Sequence, residues 1–135
     1  MCLLLTVSAG VLTGLVAVFI SYVLHLPRPT PLHLEELDDE QQDWRGRGEM
    51  VEVLGRQMFK LQQGTANQTL LLVHGFPTSS FDYYDVIDRL SEHFTVVVFD
   101  HVGFGFSDKP SDYTYSLVDQ AEQALALWRK LGIKY

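Results

Sequence analysis

The strongest constraint on the fold is the junction between the apolar run Thr69–Val73 and the loop His74-Gly75-Phe76-Pro77. A short run of apolar residues without a charge is typical of a strand that is buried on both faces of a parallel sheet. A loop with Gly and Pro at the carboxyl end of such a strand can present backbone N–H groups to a ligand. We therefore expect an α/β sheet with a ligand-binding loop at its carboxyl edge.

The residues around this junction alternate between strand and helix patterns. In chain order they predict a hairpin (residues 50–61) that turns at Leu54-Gly55-Arg56, the strand Thr69–Val73, a helix capped by Ser79 or Ser80, a second buried strand Thr95–Phe99, and a helix that begins at Ser116 and ends at Gly132. Strands that alternate with helices indicate a parallel sheet with right-handed crossovers.

The loop after the first buried strand has the residues that an oxyanion-binding loop needs. Gly75 has no Cβ to keep a ligand from the backbone, Phe76 can point its N–H into the site, and Pro77 fixes the turn that follows. One backbone donor at such a place stabilises a developing oxyanion by roughly 3 kcal/mol. A tight structural turn would use the same residues, so this loop alone leaves both interpretations open.

The loop after the second buried strand carries Gly103 and Gly105, which suggests a dinucleotide-binding pattern. That pattern would need a third glycine where Asp108 stands, and the chain has no Walker-type lysine pattern, so nucleotide binding is disfavoured. We interpret Asp100 as a carboxylate that shapes this loop by accepting backbone N–H groups. Ser107 lies outside any G-x-S-x-G pattern and is not expected to be a nucleophile.

The N-terminal segment contains no Asp, Glu, Lys or Arg from Cys2 to Leu26. About 20 helical residues cross a bilayer core, so we interpret residues 1–26 as a transmembrane anchor. Residues 27–48, rich in Pro and acidic side chains, are interpreted as a solvated linker, and residues 49–135 as the folded core. A cleaved signal peptide is the alternative for the first segment, although it would have a basic start and a small-residue cleavage site.

Two observations on the orientation of such an anchor conflict. Arg28, Arg45 and Arg47 follow it and no basic residue precedes it, which favours a cytoplasmic location for the rest of the chain. Asn67-Gln68-Thr69 matches an acceptor for N-linked glycosylation, which requires the opposite side of the membrane. The orientation therefore stays open.

Charge and cysteine content exclude several classes of function. The net charge is −7 and no basic stripe occurs, so we expect no nucleic-acid partner. The single cysteine rules out an intrachain disulfide and a metal site of the CxxC type. We expect neither a metal nor a cofactor.

The order of these motifs resembles a known family. A strand followed by His74-Gly75-Phe76-Pro77, then a helix, a strand, Asp100 and the loop Gly103–Pro110 resembles the N-terminal half of the α/β-hydrolase fold, in the branch of epoxide hydrolases and haloalkane dehalogenases. The resemblance covers about Glu49–Gly132 and includes membrane-associated, hydrolase-like proteins of the endoplasmic reticulum. It implies that the N–H of Phe76 is one oxyanion-hole donor and that His74, Gly75 and Pro77 shape the loop.

The resemblance also implies what these 135 residues lack. The nucleophile, the acid and the general-base His of such enzymes lie further along the chain, and nothing in residues 1–135 matches them. We therefore expect an incomplete α/β-hydrolase fold, a hairpin with two parallel strands and two helices, preceded by one transmembrane helix. The missing neighbour of Thr69–Val73 would leave that strand at an open edge, and residues 49–135 alone would be insoluble or molten.

The functional expectation follows from this combination. The chain is expected to be the N-terminal piece of a single-pass hydrolase of the endoplasmic reticulum membrane, inactive alone, whose partners are the lipid bilayer and a small-molecule or lipid-like substrate. The alternative is a non-catalytic, membrane-tethered interaction protein that retains part of a hydrolase scaffold.

Overall fold

A computed structural model describes residues 2–25 and 37–133, and for residues 2–12 it describes the backbone alone. The chain divides into two compact units, Met1–His33 and Leu34–Tyr135. The described elements are α1 (Cys2–Leu24), α2 (Asp39–Arg47), β1 (Glu49–Val53), β2 (Arg56–Gln63), β3 (Thr69–Val73), a 3₁₀ turn (Ser80–Tyr83), α3 (Tyr84–Ser91), β4 (Thr95–Phe99) and α4 (Leu117–Lys130).

The N-terminal unit contains α1, a helix at the position of the predicted anchor. Its large apolar side chains from Leu15 to Leu24 are exposed. Within residues 2–25 and 37–133, no helix has both the length and the apolar character that crossing a membrane requires. The helix is therefore observed, and the predicted transmembrane span of residues 1–26 is not confirmed.

The C-terminal unit is built on a mixed four-stranded sheet in the order β1-β2-β4-β3. The predicted hairpin forms, and its turn residues Leu54 and Gly55 both have positive φ angles of 49° and 76°, as two-residue hairpin turns require. β2 pairs with β4 in antiparallel register, and β3 pairs with β4 in parallel register. The hairpin and the two parallel strands agree with the sequence analysis, whereas the sheet as a whole is mixed.

The two parallel strands differ in burial. β4 lies between β2 and β3, and Val96, Val97, Val98 and Phe99 are at most 2% exposed. β3 is the edge strand of the described sheet, and its side chains are half-buried or exposed. The prediction of a fully buried Thr69–Val73 strand is thus wrong for the described residues, because one side of it has no neighbouring strand.

Each face of the sheet carries its own hydrophobic core, as the alternation of side chains along a strand requires. Phe59 and Met58, adjacent in β2, point to opposite faces. The buried residues on the face of α2 and α3 are Trp44, Phe59, Leu61, Ile87, Val96 and Val98, and those on the face of α4 are Val53, Met58, Phe99, Val102, Ala124 and Leu127.

The interpretation of residues 27–48 as a linker fails for its second half. Asp38 caps α2 by accepting a hydrogen bond from the Gln41 N–H at 2.8 Å, and the Gln41 side chain accepts one from the Asp38 N–H at 3.4 Å. Trp44 in this helix is completely buried against the sheet. Asp39 and Glu40 lie in the first turn of the helix, where their negative charge is favourable to the helix dipole. The core therefore begins before residue 49.

The predicted helix starts are observed with one change. Ser79 accepts a hydrogen bond from the Phe81 N–H and so caps the 3₁₀ turn, and α3 follows that turn directly. Ser116 caps α4 by accepting from the Asp119 N–H at 3.1 Å, and α4 is followed by Gly132 at a φ of 67°.

Candidate functional site

Two loops meet at the carboxyl edge of the parallel strands. Val73 at the end of β3 lies opposite Phe99 at the end of β4. The loop that begins at His74 therefore stands beside the loop that begins at Asp100. The carboxyl edge of adjacent parallel strands is where open α/β sheets bind ligands.

His74 joins the two loops through its imidazole ring. The His101 N–H donates to His74 Nε2 at 3.0 Å, so this nitrogen must be unprotonated. His74 Nδ1 lies 2.8 Å from the Gly75 carbonyl oxygen, to which it donates in the remaining neutral tautomer. The side chain is 5% exposed. His74 thus bridges the two loops and fixes the start of the His74–Pro77 loop, a partnership that its sequence position did not indicate.

Asp100 holds three segments together from a fully buried position. Its Oδ1 accepts the Ser80 N–H at 2.7 Å, and its Oδ2 accepts the Phe106 N–H at 2.8 Å. The carboxylate therefore ties the end of β4 to the 3₁₀ turn and to the glycine-containing loop. These contacts are those of the loop-shaping carboxylate that we expected.

The two glycines of this loop are required by packing. A Cβ on Gly105 would lie 2.0 Å from Asp100 Oδ2, and one on Gly103 would lie 2.4 Å from Tyr115 Cε1. Both glycines also have positive φ angles, 98° at Gly103 and 47° at Gly105. The pair therefore shapes the loop around Asp100, and no phosphate-binding role is needed to explain it.

The serine residues near this edge are used in structure. Ser107 is 2% exposed; its hydroxyl donates to the Asp100 carbonyl at 2.7 Å and accepts the Phe59 N–H at 2.9 Å. The Ser80 hydroxyl accepts from Trp44 Nε1 at 3.3 Å. Neither hydroxyl is placed for nucleophilic attack, in agreement with the sequence analysis.

Phe76 occupies the tip of the first loop. Its side chain is 85% exposed, and in the part of the chain that the structure describes no acceptor takes its N–H. The Phe76–Pro77 peptide bond is cis, and the Thr78 N–H closes the turn by donating to the Gly75 carbonyl at 3.2 Å. Apart from Gly75 and its two chain neighbours, no described atom lies within 4 Å of the position that a Cβ on Gly75 would take. The loop thus offers one free backbone donor beside an open space.

That space is a cavity of about 410 Å³ between the two loops and α4. No charged side chain contributes to its lining, and aromatic and aliphatic groups supply most of it. The residues that line the cavity include Phe76, His101, Phe104, Leu117, Gln120 and Trp128. Such a cavity suits an uncharged, largely apolar group.

His101 is a half-buried polar residue of this wall. Burial lowers the pKa of its imidazole from the usual value of 6.5, and the neighbouring His74 lowers it further, while Asp100 and Gln120 partly offset both effects. Neither His101 Nδ1 nor Gln120 Oε1 has a hydrogen-bond partner in the described structure. His101 is therefore neutral at physiological pH.

The described residues form neither a metal site nor a nucleophile paired with a general base. Residues 2–25 and 37–133 contain no cluster of His, Cys, Asp or Glu that could hold a metal ion. His93 lies before β4, at the opposite end of that strand from the loop that begins at Asp100, and His33 lies outside the described residues. The site thus consists of a backbone donor and a wall, without a paired nucleophile and base among the described side chains.

Comparison with known proteins shows what this chain is similar to. A family model for the alpha/beta hydrolase fold matches residues 68–134. The human mesoderm-specific transcript homolog protein is 36% identical over 126 residues, which are 90% of this chain and 36% of that protein. The chain thus spans about a third of the length of this relative.

Two solved structures are also similar to this chain. The haloalkane dehalogenase DatA from Agrobacterium tumefaciens superposes with a TM-score of 0.60 and 29% identity, over 64% of this chain and 29% of its own. A bacterial membrane phospholipase A superposes with a TM-score of 0.63 and 29% identity, over 98% of this chain and 39% of its own.

Proposed function

Because this chain contains part of an α/β-hydrolase fold, we propose that its His74–Pro77 loop supplies one backbone donor of the oxyanion hole of a hydrolase. The observation that carries the proposal is the Phe76 N–H, which has no acceptor among the described residues and lies at the carboxyl edge of β3. A preorganised donor of this kind contributes about 3 kcal/mol to transition-state stabilisation, because it pays no reorganisation cost when charge develops.

The surroundings of Phe76 support this role. The loop is fixed by the His74 bridge at its start and by the Thr78–Gly75 turn at its end. The cavity beside it is uncharged and largely apolar. A substrate carbonyl, epoxide or halide group could be bound against this wall, and the residues present do not select among these reactions.

The 135 residues contain no G-x-S-x-G or G-x-D-x-G nucleophile elbow. Hydrolysis would therefore depend on a nucleophile, an acid and a general base supplied by further sequence, as the one-third coverage of the curated relative suggests. We expect the 135-residue chain alone to give no turnover of p-nitrophenyl acetate, styrene oxide or 1-bromobutane above the buffer rate. Turnover by the purified chain, abolished by heat, would contradict this expectation.

The oxyanion role is tested by removing the one N–H. In the longest native product of the gene, Phe76→Pro should lower kcat about 100- to 1,000-fold, since proline has no N–H to donate. Phe76→Leu is the matched control: it changes the side chain, keeps the donor and should leave kcat within a few-fold. Equal kcat values for the two variants, with near-ultraviolet circular dichroism unchanged, would exclude the Phe76 N–H as an oxyanion donor.

A second candidate function is a non-catalytic interaction protein on a partial hydrolase scaffold. It is favoured by the open edge of β3, whose Val73 is 45% exposed and could pair with a strand from another protein. The mass of the C-terminal peptide of the native protein separates the two candidates. A native product that ends at Tyr135 and co-purifies with one partner would favour the interaction protein, and a longer product with a nucleophile elbow would favour the hydrolase.

We also propose that the chain is associated with the endoplasmic reticulum membrane through its N-terminal segment. Support comes from the absence of charge between Cys2 and Leu26 and from the exposed apolar side chains of α1. The chain should sediment with membranes and resist alkaline carbonate extraction, whereas a variant that lacks residues 1–26 should not sediment. Release of the complete chain by carbonate would contradict stable association with the bilayer.

A further inference from the structure

We propose that Asn67 is a site of N-linked glycosylation. The motif Asn67-Gln68-Thr69 has the acceptor pattern, with a residue other than proline in its middle. Such sites need an exposed loop, and a match inside a buried strand would be a coincidence. The position of Asn67 in the fold decides between these two cases.

Asn67 lies at a bend in the loop between β2 and β3, and Asn67, Gln68 and Thr69 are all exposed. No hydrogen bond to the Asn67 side chain occurs in the described structure, so its amide is available. The side chain also borders an open surface cavity of about 450 Å³. The acceptor amide therefore has both exposure and space.

The backbone on each side of Asn67 is held by one residue of β4. The Thr95 N–H donates to the Gln68 carbonyl at 2.9 Å, and the Thr95 hydroxyl donates to the Ala66 carbonyl at 2.6 Å. These contacts use carbonyl groups only and leave the Asn67 side chain outside the network. A sugar on Asn67 would consequently break no hydrogen bond of the described fold.

The location is also compatible with the proposed function. Thr69 begins β3 and Val73 ends it, a distance of roughly 13 Å at about 3.3 Å per residue. Asn67 is thus at the amino edge of the parallel strands, and the candidate site is at the carboxyl edge. A glycan would leave the cavity beside Phe76 open.

The reaction would use a lipid-linked oligosaccharide diphosphate as the donor. A bond forms between the Asn67 side-chain nitrogen and the anomeric carbon of the first sugar, and the bond from that carbon to the diphosphate oxygen breaks. The lipid diphosphate leaves with the electron pair, and the amide nitrogen loses one proton to solvent. Both interpretations of residues 1–26, an anchor or a signal peptide, deliver the chain to the membrane where this donor resides.

The test uses the complete chain with a C-terminal epitope tag, translated in the presence of endoplasmic reticulum microsomes. We expect one band of lower mobility that peptide-N-glycosidase F removes. Asn67→Gln and Thr69→Ala should both abolish this band, while Thr69→Ser, which keeps the acceptor pattern, should retain it.

A reporter of translocation makes a negative result decisive. Asp112→Asn alters an exposed side chain and creates a second acceptor pattern with Tyr113 and Thr114. Glycosylation at position 112 without glycosylation at Asn67 would overturn the inference, because the sugar donor would then be present and Asn67 would still not be modified. Modification at neither position would overturn it as well, since the chain would not enter the required compartment. Both outcomes leave the oxyanion role of Phe76 untouched.

Discussion

Single polar residues with buried partners determine the shape of the candidate site. His74 and Asp100 each connect the end of one strand to a neighbouring loop, and each does so with hydrogen bonds to backbone N–H groups. Buried acceptors of this kind are costly to alter, because the partner N–H groups would lose their hydrogen bonds without gaining water. Substitutions at these two residues should therefore affect the loops before the sheet.

Asp100→Asn should destabilise the chain by about 2 kcal/mol. The new amide group would place N–H donors opposite the N–H of Ser80 or of Phe106, so one charge-assisted hydrogen bond is lost. Urea unfolding of the complete chain, followed by tryptophan fluorescence, gives the free energy. Asp112→Asn is the control, because its ion pair with Arg56 is exposed to solvent and is expected to contribute little to stability. Equal losses for the two variants would contradict the special role of Asp100.

His101 should make the stability of the chain depend on pH. Its folded-state pKa is below 6.5, through burial first and the neighbouring His74 second. The unfolded chain therefore binds more protons in this range, and the contribution of His101 is complete above the unfolded pKa and is lost as the pH falls toward the folded-state pKa. Stability should decrease between about pH 7.5 and about pH 5.

The variants His101→Phe and His93→Gln isolate this effect. His101→Phe keeps an aromatic ring against Phe99 and cannot titrate, so it should have a smaller loss of urea midpoint on acidification. His93 is exposed, and His93→Gln should keep the pH dependence of the unaltered chain. An unchanged pH dependence in His101→Phe would assign the effect to other groups.

At the scale of the elements, α2 is the part whose role was least evident. Its composition is strongly polar, and its one buried residue is Trp44. The ring of Trp44 makes edge-to-face contacts with Phe81 and Tyr84 at centroid distances of 6.2 Å and 6.0 Å. The helix thus closes the core over α3, although most of its sequence faces water.

Trp44→Ala should destabilise the chain by about 3–5 kcal/mol, because it removes a completely buried ring and leaves a cavity. Urea midpoints of the complete chain measure the loss. Trp44→Phe keeps an aromatic ring in this position, although it loses the hydrogen bond to Ser80, so its loss of stability should be clearly smaller. A small effect of Trp44→Ala would restore the interpretation of residues 37–48 as a solvated linker.

For the whole molecule, the decisive feature is the position of β3 at the edge of the described sheet. Its backbone is paired on one side, by β4, and its side chains carry no charge that would discourage another strand from binding. Charged side chains on an edge strand discourage another strand from pairing with it. The uncharged edge of β3 therefore favours pairing with a further strand, either of the same domain or of another chain.

The rates of amide hydrogen exchange should therefore differ between the two parallel strands. The amides of β4, paired on both sides, should exchange much more slowly than the outward amides of β3. Addition of the remainder of a hydrolase domain should slow exchange in β3 and reduce light scattering by the protein. Equal protection of β3 and β4 in the monomeric chain would show that the edge is covered by another part of this chain.

The sequence by itself determined the local features of this protein. The hairpin turn, the bounds of β3 and β4, the cap at Ser116 and the two loops at the carboxyl edge follow from turn residues, apolar runs and capping groups, which act over a few neighbouring residues. For the same reason the α/β-hydrolase resemblance could be recognised from the order of two loops.

Only the tertiary structure decided which distant residues meet. The burial of Trp44 and the bridge from His74 to His101 depend on contacts between segments far apart in the chain. A polar helix with one apolar residue resembles a linker, and an apolar strand resembles a buried one, until the sheet order is known. Periodicity and composition indicate which secondary structure and which degree of burial a segment favours. The packing of other segments determines whether the segment adopts them.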